Sequence, residues 1–429
     1  MNLIIISVVA SLLFFLGTPI VLIIALWVAA TSYLVIDFPL ANMGFSALDS
    51  LKSFAFLAVP LFISTGDFLT AGGLSQRLIN LSRSLVAFMP GRTAATAVLA
   101  SGVFSAISGS NAATAATIGK LVGPEMKKVG VSPGLSGAIV AASGTLGVII
   151  PPSTIFIIYG VVMGVSPVDL NLGGTLPGVF MMLLLIAMCS WLTRLNEPGE
   201  RPNLIVIVRN IARDTAAAYL GLIAIFLLFF GLYLGWFSST EAAGVATIYC
   251  LLVGLFITRQ FGWRAIPSIF QESAAVTGII APMVAFSLQF QQILSVLEIQ
   301  VVIQDFLSSL AGTHGTLLTL LVMMGIIFVV GCITESVAVV LILAPILGPV
   351  ATQFGVDPVH WGVVFVVGAS IGFVTPPYGL NLFVTSAAMG IPYATLARSI
   401  LVFILPLVLS WIVILLFPWL TLFALPDRT

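Results

Sequence analysis

The sequence predicts an all-α polytopic membrane protein of two inverted-topology repeats, each with a re-entrant hairpin and a broken helix. Three observations lead to this: the composition, a glycine–proline pattern that occurs twice, and the charges around its two copies. Of the 429 residues, 60% are hydrophobic and only 7% are charged, and the mean hydropathy is +1.22. A soluble domain carries about 25% charged residues, so this chain is expected to cross a membrane many times.

The glycine–proline pattern of residues 123–152 returns in residues 348–377 at an offset of 225, without a gap. Matched pairs include Gly123-Pro124 with Gly348-Pro349, Gly147 with Gly372, and Pro151-Pro152 with Pro376-Pro377. A cluster of small polar residues precedes each copy, Ser108-Gly109-Ser110-Asn111 in one and Thr334-Glu335-Ser336 in the other. Such residues in apolar surroundings allow a membrane helix to break and expose backbone groups. We therefore expect the two broken elements to meet and form a binding site.

Apolar runs that could cross a bilayer number ten: 3–16, 19–36, 53–74, 132–163, 175–193, 215–235, 241–258, 269–298, 358–388 and 400–425. The first is short for a crossing, which needs about 20 residues, but it lacks a basic n-region and is interpreted as a helix rather than a signal peptide. The runs 132–163 and 358–388 are predicted to be broken helices. Two further segments, about 93–120 and 315–345, are rich in small residues with a polar centre, which predicts re-entrant hairpins.

Charge placement predicts that the two copies are inverted. Basic residues flank the first hairpin: Arg77, Arg83, Arg92, Lys120, Lys127 and Lys128. The matching parts of the second copy, 299–314 and 345–357, contain Asp305 and Asp357 and no Lys or Arg. By the positive-inside rule the first hairpin enters from the cytoplasm and the second from the opposite side. Ten crossings then place both termini outside the cytoplasm.

The chain is predicted to divide into repeat one (1–194), a cytoplasmic linker (195–213, with Arg201, Arg209 and Arg213) and repeat two (214–429). No nucleotide-binding loop, HExxH motif, nucleophile elbow or paired carboxylates occur in the sequence, which argues against an enzyme. The three cysteines have neither metal nor disulfide spacing and are expected to be packing residues. His314 and His360 are expected at the surface, in loops on the outer side.

The first hairpin offers many oxygen ligands around one turn. Ser105, Ser108, Ser110, Asn111 and Thr114 supply hydroxyl or amide oxygens, and Gly109 permits the sharp turn. Where two half-helices meet, a helix N-terminus suits a carboxylate, whereas carbonyls and hydroxyls suit sodium. The alternative is that small residues only allow close helix packing. For the adjacent alanines we accept that alternative, and for residues 108–111 we favour a site.

In the second hairpin, Gly331 and Thr334 are the candidate site residues, and Glu335 aligns with Ser110 at the offset of 225. A carboxylate at bilayer depth costs at least ~2.5 kcal/mol on insertion scales, so it usually faces a partner or a cavity. Three interpretations compete for Glu335: an ion ligand, a proton carrier, or an N-cap of the second half-helix. The capping or hydrogen-bonded structural role is favoured, because a bare carboxylate would repel an anionic substrate.

Each broken helix has a glycine four residues before its Pro-Pro pair, Gly147 in the first and Gly372 in the second. Proline removes an amide donor and frees carbonyls in the preceding turn. Those carbonyls, with Thr145 or Thr375, are suited to complete sodium shells of oxygen ligands. A simple proline kink is the alternative for one motif alone, but its recurrence beside a polar hairpin favours two sodium sites flanking one substrate site.

Taken together, these motifs resemble the large membrane subunit of tripartite ATP-independent periplasmic (TRAP) transporters. The resemblance is carried along the whole chain by Ser108-Gly-Ser-Asn-Ala-Ala-Thr114, Ile150-Pro-Pro-Ser153, Glu335-Ser-Val-Ala338, Gly355-Val-Asp-Pro-Val-His-Trp-Gly362, Thr375-Pro-Pro-Tyr-Gly-Leu-Asn-Leu-Phe383 and the closing Phe417-Pro-Trp419 and Leu425-Pro426. It implies an elevator-type fold of the ion-transporter superfamily and sodium-coupled import of a small organic anion across the bacterial inner membrane. It also implies two partners, a periplasmic substrate-binding protein and a small four-helix membrane subunit, here expected as a separate chain. The termini would then be periplasmic.

The family's sodium sites lie at hairpin tips and helix breaks, which correspond here to 105–111, 145–147, 331–334 and 372–375. Within and beside those windows we predict two sets of ligands. For co-transported sodium they are Ser105, Ser108, Gly109, Thr145, Gly147, Gly331, Thr334, Gly372 and Thr375. For the substrate anion they are Ser110, Asn111, Thr114, Thr334 and Asn381. No transition metal and no organic cofactor are expected.

Three other functions remain open at this stage. A stand-alone sodium-coupled anion transporter would take up substrate without a binding protein. An ion channel would show flux without coupling or saturation. A membrane assembly protein would have no reason to carry two symmetric polar hairpins.

Overall fold

The computed structural model describes residues 2–39, 44–45, 48, 51–52, 54–197 and 204–425. Within these ranges the regular structure is helical and no strand occurs, so the all-α class is confirmed. Four elements are irregular helices: the 3₁₀ turns Phe54–Leu57, Thr145–Val148 and Trp263–Ala265, and the π-helical segment Val253–Ile257.

The α-helices are numbered here in chain order over the described residues. Those of the N-terminal half are α1 Asn2–Phe15, α2 Ile20–Leu34, α3 Ala58–Ala71, α4 Leu74–Leu85, α5 Arg92–Ser108, α6 Asn111–Leu121, α7 Gly123–Lys128, α8 Pro133–Gly144, α9 Thr154–Met163 and α10 Pro167–Thr193. Those of the C-terminal half are α11 Leu204–Tyr233, α12 Ser239–Leu252, α13 Ile266–Val296, α14 Ile299–His314, α15 Thr316–Gly331, α16 Ser336–Gln353, α17 Pro358–Gly372, α18 Leu380–Met389, α19 Tyr393–Ser399, α20 Leu401–Leu416 and α21 Trp419–Leu422.

Five described helical stretches are long and apolar enough to cross a membrane alone: Pro167–Thr193, Ile205–Tyr233, Ser239–Ile257, Trp263–Val296 and Ser336–Gln353. A sixth arises if α19 and α20, bent by 49°, form one span. Other predicted crossings form shorter apolar helices. Among them, the runs 3–16 and 19–36 become α1 and α2, and each predicted broken helix becomes a pair.

The helix boundaries recur at the offset of 225. α6 starts at Asn111 and α16 at Ser336, while α8 starts at Pro133 and α17 at Pro358. The last pair begins in the same way, with proline in the first turn after a capping side chain. Ser132 accepts from the Leu135 amide at 3.4 Å, and Asp357 accepts from the Val359 amide at 2.8 Å. Equivalent residues therefore start equivalent helices in the two halves.

One difference concerns the second arm of the second hairpin, which the sequence predicted to end at 345. In the structure α16 continues through Pro345 and Pro349 to Gln353. The matching part of the first copy is divided at Val122 into α6 and α7. Prolines inside a helix are tolerated where neighbouring helices enclose it, and most of α16 is buried.

Part of the predicted linker is helical. Residues 204–213, including Arg209 and Arg213, belong to the first turns of α11. Residues 198–203, with Arg201, lie outside the described residues, as does Pro426 of the closing motif.

The expectation that His360 lies at the surface is wrong. It occupies the first turn of α17 and is buried beneath the C-terminal helices. Its Nδ1 lies 2.7 Å from Thr421 Oγ1, and its Nε2 lies 3.2 Å from the Leu415 carbonyl oxygen. The polar ring is satisfied in the interior, so it needs no solvent. The side chain of His314 lies outside the described part of the chain.

The broken helices lie at the centre of the molecule. Every α17 residue from Val359 to Gly372 is buried, and all of α8 from Gly134 to Gly144 is buried except the half-buried Leu135. The hairpins α5–α6 and α15–α16 pack around them. By contrast α1 has no buried residue. The most enclosed helices are therefore the first arms of the two broken elements.

Candidate functional site

The tip of the first hairpin is a single tight turn between α5 and α6. Gly109 has a φ of +55°, a left-handed conformation that favours glycine, and its amide donates to the Ser105 carbonyl at 3.1 Å. Ser110 is the N-cap of α6, and its hydroxyl accepts from the Ala113 amide at 3.4 Å. The turn thus ends one helix and starts the next within two residues, as the small polar cluster predicted.

Gly147 of the first broken helix lies directly against this tip. A Cβ atom placed on it would be 2.5 Å from the Ser110 carbonyl oxygen and 2.7 Å from Asn111 Cα. Contacts that short do not occur between real atoms, so only glycine allows this approach. The helix break and the hairpin tip therefore meet backbone to backbone.

The second half has a corresponding contact. A Cβ atom on Gly372 would lie 2.7 Å from both Gly331 Cα and the Gly331 carbonyl carbon. Gly331 is the last residue of α15, the first arm of the second hairpin. Gly331 and Gly372, both predicted as sodium ligands, are thus adjacent. Here the break meets the end of the first hairpin arm, whereas Gly147 meets the start of the second arm.

Further bonds tie each tip to the residues that follow each Pro-Pro pair. Thr154 Oγ1 donates to the Gly109 carbonyl at 2.7 Å. In the second half the amides of Tyr378 and Gly379 donate to the Cys332 carbonyl at 3.3 and 3.4 Å. In both halves, a carbonyl at the end of the first hairpin arm accepts a hydrogen bond from residues that follow the Pro-Pro pair.

The two halves are linked through the side chain of Ser370. Asn111 Nδ2 donates to Ser370 Oγ at 2.9 Å, and Ser370 Oγ donates to the Thr145 carbonyl at 2.8 Å. Nearby, Asn381 Nδ2 donates to the Ala141 carbonyl at 2.9 Å. The Oδ1 atoms of Asn111 and Asn381 are buried without a hydrogen-bond partner in the structure. Such acceptors are rare in protein interiors, and Asn111 also lines the cavity between the hairpin tips.

Both hairpin tips open onto one small cavity of about 120 Å³. The first tip contributes 108–112 and the second Glu335, Ser336 and Val337. The first residues of both α6 and α16 line it, so two helix N-termini converge there. Helix N-termini present backbone N–H groups and a partial positive charge, which suits an anion.

Glu335 does not perform the capping role that was favoured for it. It occupies the N-cap position of α16 but makes no side-chain capping hydrogen bond. Its side chain is exposed and, like Ser110, lines the tip cavity. Because the α16 N-terminus starts at Ser336, the carboxylate lies beside the positive end of a helix.

The predicted site residues divide into two groups in the structure. Ser108, Gly109, Ser110 and Asn111 line the cavity. Most of the other hydroxyls donate to carbonyls of their own helix or adjacent turn: Ser105 to Ser101, Thr145 to Ala142, Thr334 to Val330 and Thr375 to Ile371. Thr114 is bonded to Ser108, with Oγ atoms 3.1 Å apart. The second group therefore lies behind the cavity rather than in its wall.

The predicted sets of ligands omitted several residues of this site. Ser370 bridges the two halves, and Thr154 and Ser336 line the cavity. Ser370 could have been found as the residue aligned with Thr145 at the offset of 225. Ile63 of α3 and Val276 and Ile280 of α13 also line the cavity. These apolar residues come from helices distant in sequence, and no motif marks them.

The structure is thus that of an all-helical membrane protein in which the tips of two helical hairpins open onto one cavity. The chain belongs to the tripartite ATP-independent periplasmic transporter family as its DctM component, because that family model matches residues 6–420. It is therefore a multi-pass protein of the bacterial inner membrane and a transporter permease, not an enzyme.

Two relatives and one solved structure show how far the similarity extends. The C4-dicarboxylate TRAP transporter large permease protein DctM of Pseudomonas aeruginosa is 32% identical over 90% of this chain and 89% of its own. The sialic acid TRAP transporter large permease protein SiaM of Vibrio cholerae is 30% identical over 89% of this chain and 88% of its own. The crystal structure of the YdaH transporter of Alcanivorax borkumensis matches with a TM-score of 0.57 at 18% identity, covering 88% of this chain and 87% of that one, which indicates a shared fold.

Proposed function

We propose that this chain imports a small organic anion together with sodium ions, as the large membrane subunit of a three-part transporter. The observation that carries the proposal is the convergence of the α6 and α16 N-termini on one cavity. Two positive helix ends, with the Ser110 and Ser336 hydroxyls beside them, suit a carboxylate or sulfonate. Membrane transporters commonly bind anionic groups in this way.

Sodium is proposed as the co-transported ion. The polar atoms at the tips and breaks are hydroxyl, amide and carbonyl oxygens, which are hard ligands suited to an alkali cation. Among the described residues no group of three or more His, Cys, Asp or Glu side chains is placed to hold a transition metal. Each sodium ion that enters down a 100 mV potential contributes about 2.3 kcal/mol, so two ions would concentrate a monoanion strongly.

The proposed mechanism divides the chain into two bodies. A core made of the two hairpins and two broken helices carries the substrate, and the remaining helices form a scaffold. Ile63, Val276 and Ile280 contact the cavity from α3 and α13, so in this proposal they belong to the scaffold wall that covers the site. Sodium at the tips organises the hairpins around the anion, and the core then moves past the scaffold and releases both inward. The proposed topology is inverted, with both termini periplasmic.

Membership of the family supports the proposed partners and substrate class. A periplasmic binding protein is proposed to deliver the anion, and a separate small membrane subunit is proposed to brace the scaffold. The named relatives act on C4-dicarboxylates and sialic acids. The substrate of this chain is therefore proposed to be an organic anion of that kind.

Reconstitution in liposomes tests this function. The chain is combined with its small subunit and binding protein, and uptake of labelled succinate and sialic acid is followed with and without an inward sodium gradient. Saturable uptake that requires both sodium and the binding protein is expected. Sodium-coupled uptake by this chain alone would support the stand-alone transporter instead, and uncoupled, non-saturating flux would support a channel.

Replacement of Ser108 provides a residue-level test. In the Ser108→Ala variant the Thr114 hydroxyl loses its partner at the tip, and the half-saturating sodium concentration is expected to rise. An unchanged sodium dependence would contradict the assignment of Ser108 as a sodium ligand, and it would not bear on anion transport itself.

A further inference from the structure

A second and larger cavity lies at the opposite end of α6 from the tip. Its volume is about 460 Å³, and it is lined by the α6–α7 junction, the first turn of α8 and the end of α18. Lys120 is nine residues from Asn111 along α6, so the cavity lies about 13 Å from the tip. The proposed orientation places it on the cytoplasmic side of the core. It is separate from the site of the proposed transport function.

Two cationic side chains, Lys120 and Lys127, line this cavity, and none of the described acidic residues does. Neither lysine forms an ion pair within the described ranges. The acidic residue between them in sequence, Glu125, is held by Arg83, whose Nη2 donates to both carboxylate oxygens at 2.6 and 2.7 Å. Two positive charges therefore line one cavity, while the neighbouring Glu125 carboxylate is paired with Arg83.

The walls of the cavity are built from backbone and small residues. Gly119 and Gly123 pack against Met389, where a Cβ on Gly123 would lie 2.8 Å from the Met389 Cε. Pro133 and Ser136 bring the first turn of α8 to the cavity. The partial positive charge of this helix N-terminus adds to that of the lysines.

We propose that this cavity binds the phosphate or carboxylate group of an anion between Lys120 and Lys127. Such a group would accept charge-assisted hydrogen bonds from the two ammonium groups and would also face the partial positive charge of the α8 N-terminus. The same chemistry is offered by the headgroup of an acidic phospholipid and by a soluble anion. Both lysines lie at the base of the first hairpin, so the occupant would neutralise the cytoplasmic face of the core.

Thermal unfolding of the detergent-purified full chain tests this site with two probes. One is inorganic phosphate, compared with chloride at equal ionic strength. The other is phosphatidylglycerol, compared with phosphatidylcholine. We expect stabilisation of the wild type by at least one probe. In the double variant Lys120→Gln/Lys127→Gln, the probe concentration that gives half of the maximal stabilisation should be about tenfold higher. Charge-assisted hydrogen bonds contribute on that scale.

Matched variants make the result decisive. Lys128→Gln removes the same charge from the same short helix but lies outside the cavity lining, so it should bind both probes normally. The charge-retaining Lys120→Arg/Lys127→Arg variant should also bind. Stabilisation by phosphatidylglycerol alone identifies a lipid site, and stabilisation by phosphate identifies a soluble anion. No stabilisation of the wild type by either probe, or an equal loss in Lys128→Gln, would overturn the proposal. Neither result bears on uptake at the tip.

Discussion

Ser370 donates a 2.8 Å hydrogen bond to the carbonyl of Thr145, the residue aligned with it in the other half of the chain. The two positions differ by 225 in sequence, the same offset that relates the glycine–proline patterns. Equivalent positions of the two broken helices thus touch at the centre of the molecule. Asn111 of the first hairpin joins the same bond network at 2.9 Å.

The first prediction concerns this network. Replacing Ser370 by Ala leaves Asn111 Nδ2 and the Thr145 carbonyl without that partner in a buried site, which should cost about 1–3 kcal/mol of stability. We expect a lower unfolding temperature and weaker sodium dependence of uptake. Ser410→Ala is the control, because that buried hydroxyl bonds only the Leu407 carbonyl of its own helix. If both variants behaved alike, the network would have no special role.

The second prediction concerns the two close approaches of backbone. Gly147→Ala and Gly372→Ala each place a methyl within 2.7 Å of a hairpin backbone atom, so tip and break must separate. Both variants should lose most uptake and at least about 1–3 kcal/mol of stability, the usual cost of overpacking. Gly325→Ala in α15 is the matched control, since no described atom outside the adjacent backbone of its own helix lies within 4 Å of its Cβ position. Retention of full activity by Gly147→Ala and Gly372→Ala would show that this contact is unimportant.

The third prediction concerns Glu335, which lines the cavity at the N-cap position of α16 without a capping bond. Replacing it with Gln keeps its size and removes its charge. If the carboxylate contributes to cation binding, Glu335→Gln should raise the half-saturating sodium concentration while the unfolding temperature changes little. Glu272→Gln, an exposed carboxylate on α13, provides the control. A large loss of stability with unchanged sodium dependence would instead indicate a structural role.

The fourth prediction concerns Glu197, whose side chain accepts hydrogen bonds from the first turn of α5, where the first hairpin begins. Its carboxylate accepts from the Thr93 amide at 2.8 Å and from the Thr93 hydroxyl at 3.0 Å, and its Oε1 lies 3.4 Å from Arg92 Nε. Glu197→Ala leaves these donors unsatisfied at a helix start, which should cost about 0.5–2 kcal/mol.

Differential scanning calorimetry of the purified Glu197→Ala protein measures the expected decrease in unfolding temperature. Glu197→Gln keeps an acceptor and should recover part of the loss. If Glu197→Ala and Glu197→Gln both unfolded at the wild-type temperature, the contact would not stabilise the hairpin.

The positions of the helix breaks could be predicted from local chemistry. Gly109, Ser110 and the Pro-Pro pairs lie where the chain breaks, because glycine and proline act on the backbone of their own turn. The prediction failed where enclosure by other helices overrides local chemistry. α16 passes through Pro345 and Pro349, and His360 is buried by partners more than fifty residues away.

The sequence by itself determined the all-helical membrane class, the two copies and the segments that form the tips, because hydropathy and backbone-breaking residues act locally. Only the tertiary structure decided which of those oxygens face the cavity. It directed Ser108–Asn111 into the cavity and turned Thr145, Thr334 and Thr375 toward carbonyls of their own helices or turns. It also introduced Ser370, Ile63, Val276 and Ile280, since packing brings together residues that no local pattern connects. Gly147 and Gly372 needed both kinds of information. The sequence shows that they lack a side chain, but only the tertiary structure shows that another backbone segment packs against them.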